Sequence, residues 1–206
     1  MKILFAVLRA AAAVAGIAAI VATTAETLSR TSINPFNFYG YFTIQSNILY
    51  LIACLVAATA TFRGKQQSPG VMLFRASATT YIVIVGIVYN TLLNGLEGGV
   101  ALPWANTVLH VIVPIYAAID WIFFGDRTPV PWNRFWLVFI YPLVWIVVVL
   151  IRGATDGWVP YPFLNPSQGY GVVALYCVGI AVAIGVVGSG VWSLNRLHIL
   201  KPTVDT

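Results

Sequence analysis

The sequence predicts an all-α fold, a polytopic membrane protein built as one six-helix transmembrane bundle over residues 1–206, with the N and C termini both cytoplasmic. Three observations carry this reading. Hydrophobic residues fill 60% of the 206 positions and charged residues only 8%, whereas a soluble domain carries about 25% charged residues. The apolar residues are gathered into six runs, each near the ~20 residues a helix needs to cross the hydrocarbon core. With the N-terminus inside, nine of the 11 basic residues fall on the cytoplasmic side, leaving only Arg30 and Arg152 outside.

The first run, Ile3 to Thr24, is interrupted by Arg9 and is long for the apolar stretch of a signal peptide. It is therefore read as a span rather than a leader cleaved near Thr23-Thr24-Ala25. Tyr41 to Phe62, Ala76 to Leu93, Leu102 to Phe124, Phe135 to Ile151 and Gly171 to Leu194 complete the set. The runs are continuous rather than alternating in polarity, and lipid tolerates no open sheet edge, so helices are preferred to a barrel. The cytoplasmic set is Lys2, Arg9, Arg63, Lys65, Arg75, Arg127, Arg134, Arg196 and Lys201. That placement explains the net charge of +5 without any nucleic-acid partner.

Tyr39, Tyr41, Trp104, Trp132, Trp158 and Trp192 sit near span ends, where aromatic rings anchor at headgroup level. Gly179, Gly185, Gly188 and Gly190 in the last run permit close helix contact. Cys54 and Cys177 each lie alone in an apolar run and read as packing residues. No internal repeat and no linker divides the chain.

Polar side chains inside spans are costly and mark places to look for function. Thr43, Ser46 and Asn47 share one helical face by their i, i+3, i+4 spacing, while Gln45 points elsewhere. Asn90 and Asn94, and Asn106 and His110, repeat the one-turn spacing on the next two spans. Asn34-Pro35 and the segment before Pro103 read as helix starts, with proline in the first turn. Thr43 and His110 then lie eight and seven residues beyond those prolines, roughly 10–12 Å along their helices at ~1.5 Å per residue. Asn90 reaches the same level from the opposite direction. Three helices thus supply one polar layer near the non-cytoplasmic face.

A hydroxyl and an imidazole at one depth suggest a nucleophile, Thr43, and its general base, His110, because a neutral hydroxyl attacks a carbonyl poorly until its proton is removed. Asn47 and Asn90 are candidates for oxyanion donors or for orienting the imidazole, with Ser46 and Gln45 behind them. The second histidine, His198, lies in the cytoplasmic tail. A carboxylate completes a triad only if Glu26, Glu97 or Asp156 folds in from a loop. A single buried histidine fills no zinc site, so neither a metal nor another cofactor is expected. Asp120 reads as the structural partner of a nearby arginine. Two blander readings stand beside the catalytic one. The layer forms hydrogen bonds between helices and nothing more, or it binds a small molecule in a carrier without reacting.

The loop from Arg152 to Pro166 holds three prolines and several aromatic residues, which suits a stiff cap over the outer mouth of the bundle. Tyr141, Trp145 and Arg152 form a helical stripe that, with Asn106, is a candidate for contacting a lipid carboxylate or headgroup. Asp156 is an equally simple partner for Arg152.

Three motifs occur in order, Tyr41-Phe42-Thr43-Ile44-Gln45-Ser46-Asn47; Leu109-His110-Val111-Ile112-Val113-Pro114 followed by Asp120-Trp121; and Gly157-Trp158-Val159-Pro160-Tyr161-Pro162-Phe163-Leu164. Together they resemble the bacterial branch of the androgen-induced protein superfamily, which includes the androgen-dependent TFPI-regulating protein. The likeness spans nearly the whole chain. It implies an intramembrane threonine hydrolase acting on fatty acid esters of hydroxy fatty acids, with the nucleophile at Thr43 and the essential histidine at His110. A related branch implies acyl transfer through a cysteine, which here would have to run through Thr43. The implied partners are membrane lipids and a lipid ester entering from the outer leaflet of a plasma membrane. Oligomeric state stays open.

Overall fold

The computed structural model describes residues 1–93, 95, 102–197 and 199–200. The readings made above for Asn94, Glu97, His198 and Lys201 lie outside these residues. Six helical stretches are long and apolar enough to cross a bilayer, so the chain is a multi-pass membrane protein. No strand occurs among the described residues.

The first span is α1, Lys2–Arg30, which runs on past the end of its apolar run at Thr24. The extension persists because the hydroxyls of Thr23, Thr24 and Thr27 donate back to the carbonyls of Ala19, Ile20 and Thr23, so the polar turns satisfy themselves. Gly16 lets the second span approach, since a Cβ there would lie 2.7 Å from Leu51. A short turn, α2, Pro35–Phe38, is capped by Asn34, whose Oδ1 accepts the N–H groups of Phe36 and Asn37.

The chain then breaks at 39–41 and the second span, α3, is Phe42–Phe62. The continuous helix expected from Pro35 is thus corrected. Thr43 is the second residue of its helix, closer to the bundle end than the proline count placed it. Gly40 sits in the break, where a Cβ would lie 2.7 Å from the Trp158 ring.

The third span is α4, Pro69–Val88, running into a π-helical turn, Tyr89–Leu93. It starts seven residues before the expected Ala76. Ser68 Oγ accepts the N–H of Val71 with Pro69 in the first turn, and Arg75, which interrupts the apolar run, is buried by an ion pair. The fourth span joins α5, Pro103–Thr107, a second π-helical turn, Val108–Ile112, and α6, Val113–Phe123. A 3-10 turn, Trp132–Phe139, leads into α7, Ile140–Thr155, and α8, Tyr170–Leu194, is the sixth span. Of the glycines singled out in α8, Gly188 and Gly185 face Phe135 and Phe139, while Gly179 and Gly190 meet nothing within 4 Å. Trp192, expected at the lipid surface, is fully buried instead and stacks edge-on against Phe135.

α1, α3, α4 and α6 surround one core of small and branched side chains, and α4, α6 and α8 surround a second that contains Trp121 and Trp192. The basic end of the bundle is closed by charges. Arg9, fully buried, donates Nε to Asp120 at 2.7 Å and both terminal nitrogens to Asp126. Arg75 reaches the other oxygen of Asp120 at 3.1 Å. Asp120 is thus held by two arginines, as a structural partner would be.

Candidate functional site

At the opposite end, Thr43 and His110 line one cavity of about 700 Å³, together with Tyr41, Leu93, Tyr161 and Asn165. Thr43 also lines a second, almost wholly apolar cavity of about 330 Å³ between α4, α7 and α8, whose wall includes Val88, Trp145, Phe163 and Ile180. Thr43, Leu93 and Tyr161 belong to both walls. Thr43 therefore sits on the partition between a chamber of mixed lining, the more polar of the two, and one that is almost wholly apolar.

Each candidate is fixed by backbone contacts that its own helix leaves open. The first N–H groups of a helix have no partner inside it, and that of Thr43 donates to the Tyr161 hydroxyl at 3.3 Å. The same phenol oxygen lies 3.4 Å from Thr43 Oγ1. Asn47 Nδ2 donates to the carbonyls of both Thr43, at 2.9 Å, and Leu109, at 3.2 Å. One side chain thus ties the helix of the hydroxyl to the helix of the imidazole.

His110 occupies the centre of a π-helical turn, a local widening often found at functional sites. Pro114, four residues on, has no N–H for the His110 carbonyl. Asn90 Nδ2 donates to that carbonyl at 3.3 Å, and a glycine at 86 lets the Pro114 ring approach α4. The imidazole Nδ1 lies 3.0 Å from the Asn106 carbonyl. A carbonyl only accepts, so Nδ1 carries the proton and Nε2 holds the lone pair that a base requires. The Tyr89 ring stacks on the imidazole with centroids 3.9 Å apart, and Asn106 Nδ2 donates to the Tyr89 hydroxyl at 2.6 Å. Asn106 thus holds the histidine twice, directly and through its stacking partner.

Thr43 and His110 are brought to one chamber without a hydrogen bond between them. Asn47 and Asn90 spend their amide donors on backbone carbonyls. Ser46 is fully buried. Gln45 faces away, accepting from the Tyr141 hydroxyl at 2.9 Å and donating to the Tyr39 carbonyl. Trp145 donates to the Gly40 carbonyl at 2.9 Å and lines the apolar cavity. Arg152 lies outside both cavities. It bonds Asp156 and the Asn37 side chain, and its guanidinium sits over the Trp158 ring at 4.3 Å. The Tyr141, Trp145 and Arg152 stripe therefore fastens the 39–41 break and the outer loop to α7.

No described carboxylate lines the Thr43 chamber. Glu26 pairs with Arg30, and Asp156 pairs with Arg152, whose hydrogen bond holds the Asp156 carboxyl below its usual range. No group of three metal-ligating side chains occurs among the described residues.

Tyr161 was not among the site residues read from the sequence. It comes from the outer loop, is 7% exposed, and packs flat on Phe163 with centroids 5.3 Å apart. Burial pushes its phenol up to about 12, an effect that the hydrogen bonds with Thr43 oppose. The signal available was its position between Pro160 and Pro162, two residues that stiffen the loop and fix where the ring points.

Fold and site together define a six-span helical membrane protein with a buried threonine between a polar and an apolar cavity. Compared with protein-family models, with curated proteins and with solved structures, the chain matches none.

Proposed function

We propose that this chain is an intramembrane hydrolase of lipid esters, with Thr43 as nucleophile and His110 as general base. The observation that carries the reading is the shared wall. Thr43 and His110 line one chamber, Nδ1 of His110 is engaged by the Asn106 carbonyl, and Thr43 also lines an apolar cavity suited to an acyl chain. The ester carbonyl would sit at the partition, with its acyl arm among Val88, Phe163 and Ile180 and its alcohol arm toward Asn165. His110 takes the Thr43 proton as Oγ1 attacks and returns it to the leaving alcohol, and water entering the polar chamber then frees the acyl group. The resemblance of three motifs to the androgen-induced protein superfamily supports the same pair of residues and a fatty acid ester as substrate. The charge asymmetry supports an orientation with the basic end in the cytoplasm and the site near the outer face.

That Thr43 and His110 share a chamber without a hydrogen bond between them also suits a second reading, a carrier whose chamber binds a lipid without reacting. Purified protein in detergent would be assayed with a lipid ester and labelled with a fluorophosphonate probe, beside the Thr43→Ala and His110→Ala variants. Turnover and labelling lost in both folded variants are expected. Native turnover in both ends the mechanism, and absence of labelling in the native chain favours the carrier.

A further inference from the structure

We infer that Tyr161 is a further catalytic residue, its hydroxyl donating the hydrogen bond that stabilises the oxyanion formed when Thr43 attacks. This rests on the ester-hydrolase reading above and adds the group that reading lacks. The amide donors expected to serve are already spent, Asn47 on the carbonyls of Thr43 and Leu109, Asn90 on those of Gly86 and His110. The Tyr161 hydroxyl is differently placed. Its oxygen accepts the Thr43 N–H at 3.3 Å and meets Thr43 Oγ1 at 3.4 Å, so its own O–H has no partner but the nucleophile itself and can turn to a substrate oxygen once that hydroxyl has reacted. That N–H belongs to the first turn of α3, and accepting from it makes the phenol a stronger donor.

The position also suits the chemistry. Tyr161 Oη lies 3.4 Å from Thr43 Oγ1 and Tyr161 lines both cavities, so an ester carbonyl bound at the partition lies beside it. As Oγ1 bonds to the carbonyl carbon, the π pair of the C=O moves to the carbonyl oxygen and the Thr43 proton passes to His110 Nε2. Tyr161 keeps its own proton and shares it with the new negative charge. When the intermediate collapses, the alkoxide leaves with the proton from His110 and the Tyr161 hydrogen bond relaxes. A phenol that burial keeps protonated well above neutral pH remains a donor throughout. The ring is held by Phe163, Trp145 and Tyr41, so the donor is in place before substrate arrives.

The test uses the full chain in detergent with p-nitrophenyl octanoate as the probe. Tyr161→Phe keeps the ring and its stacking but removes the donor. A fall in kcat of about 10²- to 10³-fold with KM unchanged is expected. A difluorotyrosine introduced at position 161 serves as the second variant, since it packs alike but donates more strongly. It is expected to change kcat at neutral pH while leaving the melting temperature unmoved, which a purely structural role would not do. Native kcat in both variants, with Thr43→Ala inactive, overturns the role of Tyr161 alone. Turnover persisting in Thr43→Ala instead overturns the hydrolase reading itself, whatever Tyr161→Phe does.

Discussion

Asn90 donates from Nδ2 to the carbonyl oxygen of His110 across 3.3 Å, taking the place of the N–H that Pro114 lacks. Asn90→Leu removes this donor from the His110 carbonyl. A destabilisation of about 0.5–1.5 kcal/mol is expected, read as a lower unfolding midpoint in detergent. An unchanged midpoint would show that the tie contributes nothing.

The close approach of α4 and α6 at the same point gives a second expectation. A Cβ on Gly86 would lie 2.7 Å from Pro114 Cβ, whereas one on Gly179 would meet nothing within 4 Å. Gly86→Ala should therefore cost about 1–3 kcal/mol through overpacking. Gly179→Ala should stabilise the protein by roughly 0.5–1 kcal/mol, because alanine is the better helix former. Melting temperatures moving the same way in both variants would refute the packing geometry.

Arg9 is fully buried against two carboxylates. Arg9→Leu leaves Asp120 and Asp126 facing too little positive charge and should cost about 3–5 kcal/mol. Adding Asp126→Asn to Arg9→Leu should restore part of that loss, because the two changes act on one pair. Strictly additive losses in thermal unfolding would show that the ion pair contributes nothing to stability.

Acid should weaken the same end of the bundle. Burial alone would push the Asp126 carboxyl up, but the hydrogen bond from Arg9 and the charges of Arg75, Arg9 and Arg127 outweigh it and hold it below the usual range. A carboxyl lowered by folding contributes stability above its unfolded value, ~3.9, and loses that contribution as pH falls through the folded value. Melting temperature should be insensitive to this group above about pH 5 and fall below about pH 4, with a shallower fall in Asp126→Asn. An identical acid limb in the two proteins would contradict the pairing.

The parts of this molecule that local chemistry decides are legible in its sequence. Six spans follow from apolar run length. Thr43 and His110 share a chamber because each lies within a few turns of a helix start at the same end. The start of α4 is hidden because Arg75 reads as a break until Asp120, 45 residues away, is seen to neutralise it. The break before α3 is hidden because Pro35 announces a helix that Gly40 and the ring of Trp158 interrupt. Tyr161 escapes notice for a similar reason. Its hydroxyl meets Thr43 across 118 residues, and nothing in the spacing of either motif encodes that meeting. The π turn at His110 had a visible cause in Pro114, though its consequence, a carbonyl freed for Asn90, depends on a neighbouring helix.

The ion pair between Arg9 and Asp120 joins the first span to the fourth across 111 residues. A ribosome adding 5–20 residues per second needs roughly 6–22 s to deliver that partner. For that interval the guanidinium of the first helix has only headgroups and water to answer it, within reach of a snorkelling side chain. The guanidinium of the first helix thus meets its lasting counter-charge on α6 only once the fourth span has emerged.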